Sequence, residues 1–441
     1  MAKKKLKVGV QQILLHPDKE TEAILNYLCE QSGKLYNMGV YFSRQVFFKT
    51  GKLLTGKFDL IYEKSVGKTI VAKSLPSTPA QQTLMSVAEA LKSYKKLRES
   101  WFKGGLKSRP KPPGYLKGKK MFKVSYPNSG GQKPKRHEDL ITFSLGLNVK
   151  RWFGIKNFSL SFPSNLEDIK IKEWTILPKN GAFYLEVSYE IPESVQVKDK
   201  SKEALSIDLG TSSNLAACVD TLGNSFLIDC RAMKSFNQYW NKQVSTRKKG
   251  RAKDYWDNWL DRVTRKRNHR MRDGINKAAK IIINHCLEYS IGTIVLGWNE
   301  GFKQCSNMGR INNQQFVQIP LGKLKDRLSQ LCSLHGIHLE LTEEAYTSKA
   351  SYLDGDSLPA YGEKPSGWKA SGKRVKRGLY KTSNKSIVNA DLNGSANILR
   401  KVARKLGIDL SRLSRRCLTT VAKIRLWTLP KFILSAESPR L

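Results

Sequence analysis

Three short stretches, far apart in a chain of 441 residues, each place a carboxylate where a strand or helix is expected to end or begin. They are Asp208 in ALSIDLGTSSNLAACVD, Glu344 in HLELTEEAYTSK and Asp391 in VNADLNGSANILRK. The chain carries 37 Asp and Glu against 78 Lys and Arg, so acidic groups set in apolar surroundings need a reason. A divalent metal is the simplest. Hard cations are held by carboxylate oxygens, and a pair of them can activate a water and stabilise the leaving oxygen of a phosphodiester. Each aspartate also has a plainer reading: Asp208 as a strand-ending turn acceptor, Asp391 as a helix N-cap. Taken singly, the two readings weigh about the same. Taken together the residues favour a metal, because both fall on the expected core and neither has a nearby acidic substitute.

The formal net charge of +41 is spread over nearly the whole length and points to a nucleic acid partner. No stretch has the unbroken apolar length of a membrane span, and the basic start MAKKKLKVGV is not followed by a signal-peptide core. A prokaryotic cytoplasmic protein, nucleoid-associated when bound to DNA, is therefore expected. The seven cysteines form no CxxC pair and are odd in number, which fits reduced, buried thiols.

The elements that must position the carboxylates follow from periodicity. A strand in LKVGVQQILL leads into helical pattern from about Glu20 to Phe48, and a second helical run starts at Thr78 and Pro79. The Gly-, Pro- and Lys-rich stretch KGGLKSRPKPPGYLKGKK reads as a basic linker or a backbone-gripping loop. From about Met121 to Pro192 short alternating runs suggest a small β-barrel that takes its first strand from the N-terminus. Beyond about Val197, three closely spaced strands are followed by a long basic helical region from about Lys234 to Tyr289, the strand GTIVLGW, an amphipathic helix, the strand IHLELTEE and a helix opening at Asp391. That order describes an α/β core of the ribonuclease H kind and not an all-parallel doubly wound sheet. The fold expected is multidomain α+β. It divides into a wedge-like barrel (1–18 and 121–196), a helical recognition domain (19–120), a nuclease domain (197–344 and 389–408), an insertion that binds target nucleic acid (345–388) and a basic tail (409–441) without an assignable role.

SIDLGTSSNLAACVD, YTSKASYLDGD and NADLNGSANILRK resemble the first strand, the YTS turn and the last motif of the RuvC nuclease domain of the TnpB family. This is a transposon-encoded family related to type V CRISPR effectors. RDGINKAAKIII is similar to the family's long helix, and LCEQSGKLYNMGVYFSRQ and PKPPGYLKGKK to its recognition region. The likeness runs to about residue 405. It implies an RNA-guided DNA endonuclease that uses a noncoding RNA from the transposon end, recognises a short flanking motif on double-stranded DNA, and cuts with two Mg2+ ions for which Mn2+ can substitute.

Two departures stand out. Many TnpB proteins have Glu at the end of the strand that here reads TIVLGWNEG, where Gly297 stands. Many also bind zinc through paired cysteines between the YTS turn and the last Asp; here Ala350 occupies the first such position and no Cys or His follows before Asp391, so no zinc is expected. For the missing glutamate, Glu344 is the replacement, because its strand should lie beside TIVLGW. Glu300 is the second choice and Glu343, which points to the other side if the strand continues, the third. The ligand set expected, also the catalytic set, is Asp208, Glu344 and Asp391.

Arg262, Arg265, Lys266, Arg267, Arg270 and Arg272 lie on the basic helix, where helical spacing puts part of the set on one face suited to a heteroduplex backbone. Lys373, Arg374, Lys376 and Arg377 in the insertion add a second set, with Trp368 and Tyr380 either stacking on bases or sitting in a core. Two rival readings remain: a TnpB-like protein that binds guide and target without cutting, and a transposase that joins strands with the same acidic core.

Overall fold

The computed structural model describes residues 8–106, 108–118, 120–129, 133–191, 202–211, 213–299, 319–419 and 421–427. The chain divides into two compact units, Met1–Pro192 and Glu193–Leu441. Among the described residues no helix is long and apolar enough to cross a membrane.

The first unit begins with β1 (Val8–Leu14) and the long helix α1 (Lys19–Thr50), which Asp18 caps by accepting from the Thr21 amide. Three one-turn helices follow, α2 (Asp59–Tyr62), α3 (Lys64–Gly67) and α4 (Ile70–Lys73), and then α5 (Ser77–Phe102). The strands are β2 (Val124–Pro127), β3 (Lys135–His137), β4 (Leu140–Ser144), β5 (Asn157–Ser161), β6 (Ile171–Lys179) and β7 (Ala182–Glu190), with α6 (Leu147–Phe153) between β4 and β5. As expected, the N-terminal strand joins the later ones, β1 pairing antiparallel with β7 from Val8↔Glu190 to Leu14↔Tyr184. The barrel does not close among the described residues. The strands form two separate sheets, β1-β7-β6-β2 and β3-β4-β5. One physical reason is visible in the core, where Leu25, Leu28 and Leu35 of α1 and Leu84, Val87 and Leu91 of α5 pack into one cluster with Val124, Trp174 and Ile176. Helices supply apolar cover that a closing strand would otherwise provide.

The second unit is built on a six-stranded sheet. Its strands are β8 (Ala204–Leu209), β9 (Asn214–Asp220), β10 (Ser225–Asp229), β11 (Thr293–Gly297), β12 (His338–Thr342) and, from the segment that the sequence left without a role, β16 (Ala422–Arg425). The order across the sheet is β12-β11-β8-β9-β10-β16. β9 runs antiparallel to β8 and β10, while β11 is parallel to β8 and β12, so the sheet is mixed. The basic helical region is two helices rather than one, α7 (Arg231–Lys248) and α8 (Asn258–Glu288), because Asp257 takes extended backbone and caps α8 from the Leu260 amide. After α9 (Leu321–His335), the insertion carries the small sheet β13 (Lys373–Lys376), β14 (Leu379–Lys381) and β15 (Ile387–Asn389). It leads into α10 (Ala390–Leu406), and α11 (Arg415–Thr419) precedes β16.

The period of two along each strand decides which residues face which layer. Leu205, Ile207, Ile294 and Leu296 pack with Ile275, Ala278 and Ile282 of α8 and Leu324 and Leu328 of α9. Ala204, Ala217, Val219 and Val295 pack with Leu392, Ala396 and Leu399 of α10. Asp208 and Gly297 follow the parity of Ala204 and Val295. Alternation alone therefore brings both to the α10 face.

Candidate active site

α10 approaches β8 closely because its first turns are made of small residues. A Cβ on Gly394 would lie 2.6 Å from Asp208 Oδ2, closer than side-chain contacts allow, so only glycine lets the helix pass over this carboxylate. One turn of contact is added by Ser395, whose Oγ donates to the Ser206 carbonyl at 3.1 Å and lies 2.8 Å from Ser206 Oγ. Asp208 is packed between sheet and helix, and no described residue donates a hydrogen bond to its carboxylate. Burial raises its pKa well above the usual carboxylate range, with the charges of Glu344 and Asp391 adding to the rise and Arg374 opposing it. The turn-acceptor alternative for Asp208 is thus not what the structure shows.

Asp391 is not the helix cap either. That role falls to Asn389, whose side-chain oxygen accepts from the Asp391 and Leu392 amides at 3.0 and 3.1 Å. The Asp391 carboxylate is left free of backbone duty in the first turn, where the helix dipole favours a negative charge. Its Oδ2 accepts from Asn214 Nδ2 at 2.8 Å and its Oδ1 from Arg374 Nη2 at 2.9 Å.

Glu344 lies two residues past β12, and its side chain returns over the end of β11. A Cβ on Gly297 would stand 2.7 Å from Glu344 Oε1, 2.8 Å from its Cγ and 2.6 Å from Ile398 Cδ1. The carboxylate thus fills the space above the very residue that lacks a side chain. Asn299 holds it from the strand end, accepting from the Glu344 amide at 3.1 Å and donating to Oε2 at 3.4 Å. Burial pushes the Glu344 pKa up to about 7. Glu343 behaves in the opposite way. It pairs with Lys401 at 2.8 Å and accepts from the Tyr361 amide, which hold its pKa below the ordinary value. Glu300 lies outside the described residues.

The turn after Glu344 is bound to α10 by asparagines. Thr347 Oγ1 donates to the Glu344 carbonyl at 2.9 Å, Asn397 Nδ2 donates to the Thr347 and Ala350 carbonyls at 2.9 and 2.8 Å, and Asn393 Nδ2 donates to the Ala350 carbonyl at 2.8 Å. Asn393 Oδ1 in turn accepts from the Tyr352 amide. YTS and NADLNGSAN are therefore two halves of one packed junction. The insertion is tied down by carboxylates: Asp354 accepts from the Ser383 amide and hydroxyl, and Asp356 from the Ser351 and Ser371 amides.

Among the described residues, no group of three or more His, Cys, Asp or Glu side chains stands close enough together to hold a metal ion. The donor chemistry nevertheless fits a hard cation. All the groups brought together are oxygens, burial raises the pKa of two of the carboxylates, and the buried Asn214 Oδ1 has no hydrogen-bond partner among the described residues.

The basic residues fall into different settings. Arg262, Lys266 and Arg270 are exposed along one side of α8. Arg267 is half-buried, donates to Asn237 Oδ1 at 2.9 Å and stacks on Trp240, bracing α8 against α7. Arg270 lies over Trp427 at 4.4 Å. Arg265 and Arg272 are partly covered, whereas Lys373, Arg374, Lys376 and Arg377 are all exposed. Of the two aromatics in the insertion, Tyr380 belongs to the core with its hydroxyl donating to the Lys349 carbonyl, and Trp368 packs edge-on against Tyr346. Sequence reasoning missed Asn214, Asn299, Asn393 and Asn397. Their spacing within NADLNGSAN was the one available signal for the last two.

These features define a mixed α/β protein with carboxylates gathered where the central strand meets the helix that follows the insertion. Residues 186–301 match the OrfB_IS605 family, described as a probable transposase, and the chain is similar to TnpB proteins. Its fold is similar to Cas12f1 in a cryo-EM structure of that protein's complex with sgRNA and target DNA, at 17% identity and a TM-score of 0.53 over 86% of this chain and 83% of that one. The mini-RNA-guided endonuclease CRISPR-Cas_phi3 aligns at 11% identity and a TM-score of 0.38, over 90% of this chain and 92% of that one. No curated protein matches the chain.

Proposed function

We propose that the chain is an RNA-guided DNA endonuclease of the TnpB kind, in which the six-stranded sheet and α10 form a ribonuclease H-like, RuvC-type domain. Asp208, Glu344 and Asp391 hold two Mg2+ ions, with Mn2+ able to substitute. The observation that carries this reading is the seating of Glu344 over Gly297, on the same α10-facing side of the sheet as Asp208. Bound cations would supply an activated water and a counter-charge for the leaving oxygen of the phosphodiester. The residues do the rest. Burial raises the pKa of both Asp208 and Glu344, with repulsion from Glu344 and Asp391 adding at Asp208, so a bound cation would favour their ionised forms and their protons would pass to solvent; Asn299 fixes Glu344, and Asp391 would exchange Arg374 for the ion.

The five-part division read from the sequence, with its wedge-like region, helical recognition region and insertion, belongs to the same proposal. So do a noncoding guide RNA and double-stranded target DNA as partners. The net charge of +41 supports this, since a chain so basic binds polyanions with release of many counterions. Arg262, Arg265, Lys266, Arg270, Arg272, Lys373, Lys376 and Arg377 are proposed contacts to the backbone. Arg267 joins them only in so far as its bracing of α8 shapes that surface.

A second reading, guided binding without cutting, is favoured by one observation: Arg374 forms an ion pair with Asp391, which a cation would have to displace. Expression with flanking transposon DNA, sequencing of the copurified RNA and incubation with a matched target in Mg2+ across a library of flanking motifs separates the two. RNA with cutting supports the nuclease, and RNA with binding but no cutting replaces it with the targeting protein. A strand-transfer product would instead indicate a transposase. Protein that purifies monodisperse, folded and free of RNA contradicts both guided readings.

A further inference from the structure

Asn214 opens β9 with only 8% of its surface exposed, and its carboxamide divides between two tasks. Nδ2 donates to Asp391 Oδ2 at 2.8 Å. Oδ1 is buried and has no hydrogen-bond partner among the described residues. The orientation of the amide is set by its neighbour, because turning it over would press an amide oxygen against a carboxylate oxygen. An amide oxygen stripped of water and left unpaired is costly, and in a native fold such an atom calls for a ligand, an ion or a functional role. Here it adjoins a carboxylate cluster on a strongly basic chain.

A second orphaned amide oxygen, Asn397 Oδ1, sits in a different environment. Its amide donates to two main-chain carbonyls under the Thr347–Ala350 turn and touches no carboxylate. The Asn214 oxygen alone is joined, through its own amide, to a candidate metal ligand.

We propose that Asn214 is a positioning residue of the metal site: its N–H holds Asp391 in the orientation that receives the cation, and its oxygen accepts a hydrogen bond from the cation's water shell. The inference rests on the metal-dependent reading above. Groups that orient first ligands in this way typically set metal affinity by about 10- to 100-fold.

The test uses RNA-loaded protein and counts Mn2+ by electron paramagnetic resonance. Asp208→Ala/Asp391→Ala protein carrying the same RNA gives the baseline for ions held by RNA alone. Asn214→Ala is expected to bind the site Mn2+ about tenfold or more weakly, with unchanged guide and target affinity, unchanged metal-free melting, and cutting that recovers at high Mn2+. Asn214→Leu, of similar volume, should behave alike if the alanine variant folds poorly. Mn2+ affinity equal to wild type overturns the proposal. So does weakened binding accompanied by lowered metal-free melting and no recovery in excess Mn2+, which marks a purely structural residue. Wild type showing no Mn2+ above the baseline removes the metal reading itself, a failure distinct from that of Asn214.

Discussion

Glu344 Oε1 lies where a side chain on Gly297 would begin, 2.7 Å from the position of its Cβ. Gly297 ends β11 opposite Thr342 of the parallel β12, and Glu344 follows two residues beyond that strand, so on the proposed reading the carboxylate absent from one strand end is supplied from beyond the next. The relationship makes a reciprocal prediction. Gly297→Ala must push Glu344 aside and should cut more slowly by about 100-fold or more, the scale on which a small misplacement of a catalytic group acts. Gly297→Glu alone should fail for the same reason. Gly297→Glu combined with Glu344→Ala should regain much of the rate. Single-turnover cleavage of a matched duplex measures all three, and a double variant no better than Gly297→Glu would show that the two positions are not interchangeable.

Burial raises Glu344 from the ordinary value of 4.5 to about 7, which has a definite sign in pH. Between these values the folded protein keeps a proton that the unfolded chain has lost, so metal-free stability falls as pH rises and the loss is complete above about 7. Glu344→Gln should therefore raise metal-free stability at pH 8 by up to roughly 3 kcal/mol and have little effect near pH 4.5. Cation uptake must also displace the proton, and so Mn2+ affinity should climb from pH 6 to pH 8 in wild type. Thermal melting and Mn2+ titration at both pH values check the pair. A stabilising effect of Glu344→Gln that is equally large at pH 4.5 would contradict the assignment.

Arg374 forms a 2.9 Å ion pair with Asp391 and would compete there with the proposed cation. Arg374→Ala should lower the Mn2+ concentration needed for half-occupancy, because a fixed positive charge has left the site. If the same arginine grips a phosphate in the target complex, the variant should also lose about one unit of salt slope in target binding. Tighter metal binding with an unchanged slope would confine Arg374 to the carboxylate.

The basic face of α8 is expected to separate into phosphate contacts and braces. Arg262→Ala and Lys266→Ala should each lower the salt slope of nucleic acid binding by about one without changing melting. Arg267→Ala should do the reverse. Its guanidinium is half-buried, with burial lowering its pKa and Asn237 and Trp240 as partners, and its loss should cost about 1–3 kcal/mol of stability. An Arg267 variant with normal melting and a reduced slope would place that residue among the phosphate contacts.

Much of the geometry of this candidate site was legible in the sequence because its signals are local. Asp208 closes an alternating strand before a glycine turn, and Asp391 opens a run of small residues that lets a helix pass close to a sheet. The order of strands and helices in the second unit followed from periodicity in the same way. What escaped depends on partners distant along the chain. Asn214 meets Asp391 across 177 residues, and nothing around it in GTSSNLAA marks it out. The break between α7 and α8 turns on one capping aspartate, Asp257, inside a uniformly basic stretch. The unclosed barrel reflects helices taking up apolar strand faces, and β16 is a parallel edge strand whose register on β10 only tertiary contact can set.

Single-turnover cleavage of a matched duplex in Mg2+ by guide-loaded protein decides whether Glu344 supplies the third carboxylate. Wild type should be compared with Asp208→Ala, Asp391→Ala, Glu344→Ala, Glu343→Ala and Glu300→Ala. The first three variants should bind guide and target like wild type and lose cutting by orders of magnitude, while Glu343→Ala and Glu300→Ala should keep most of it. Abolished cutting in Glu300→Ala with normal cutting in Glu344→Ala would contradict the role given to Glu344.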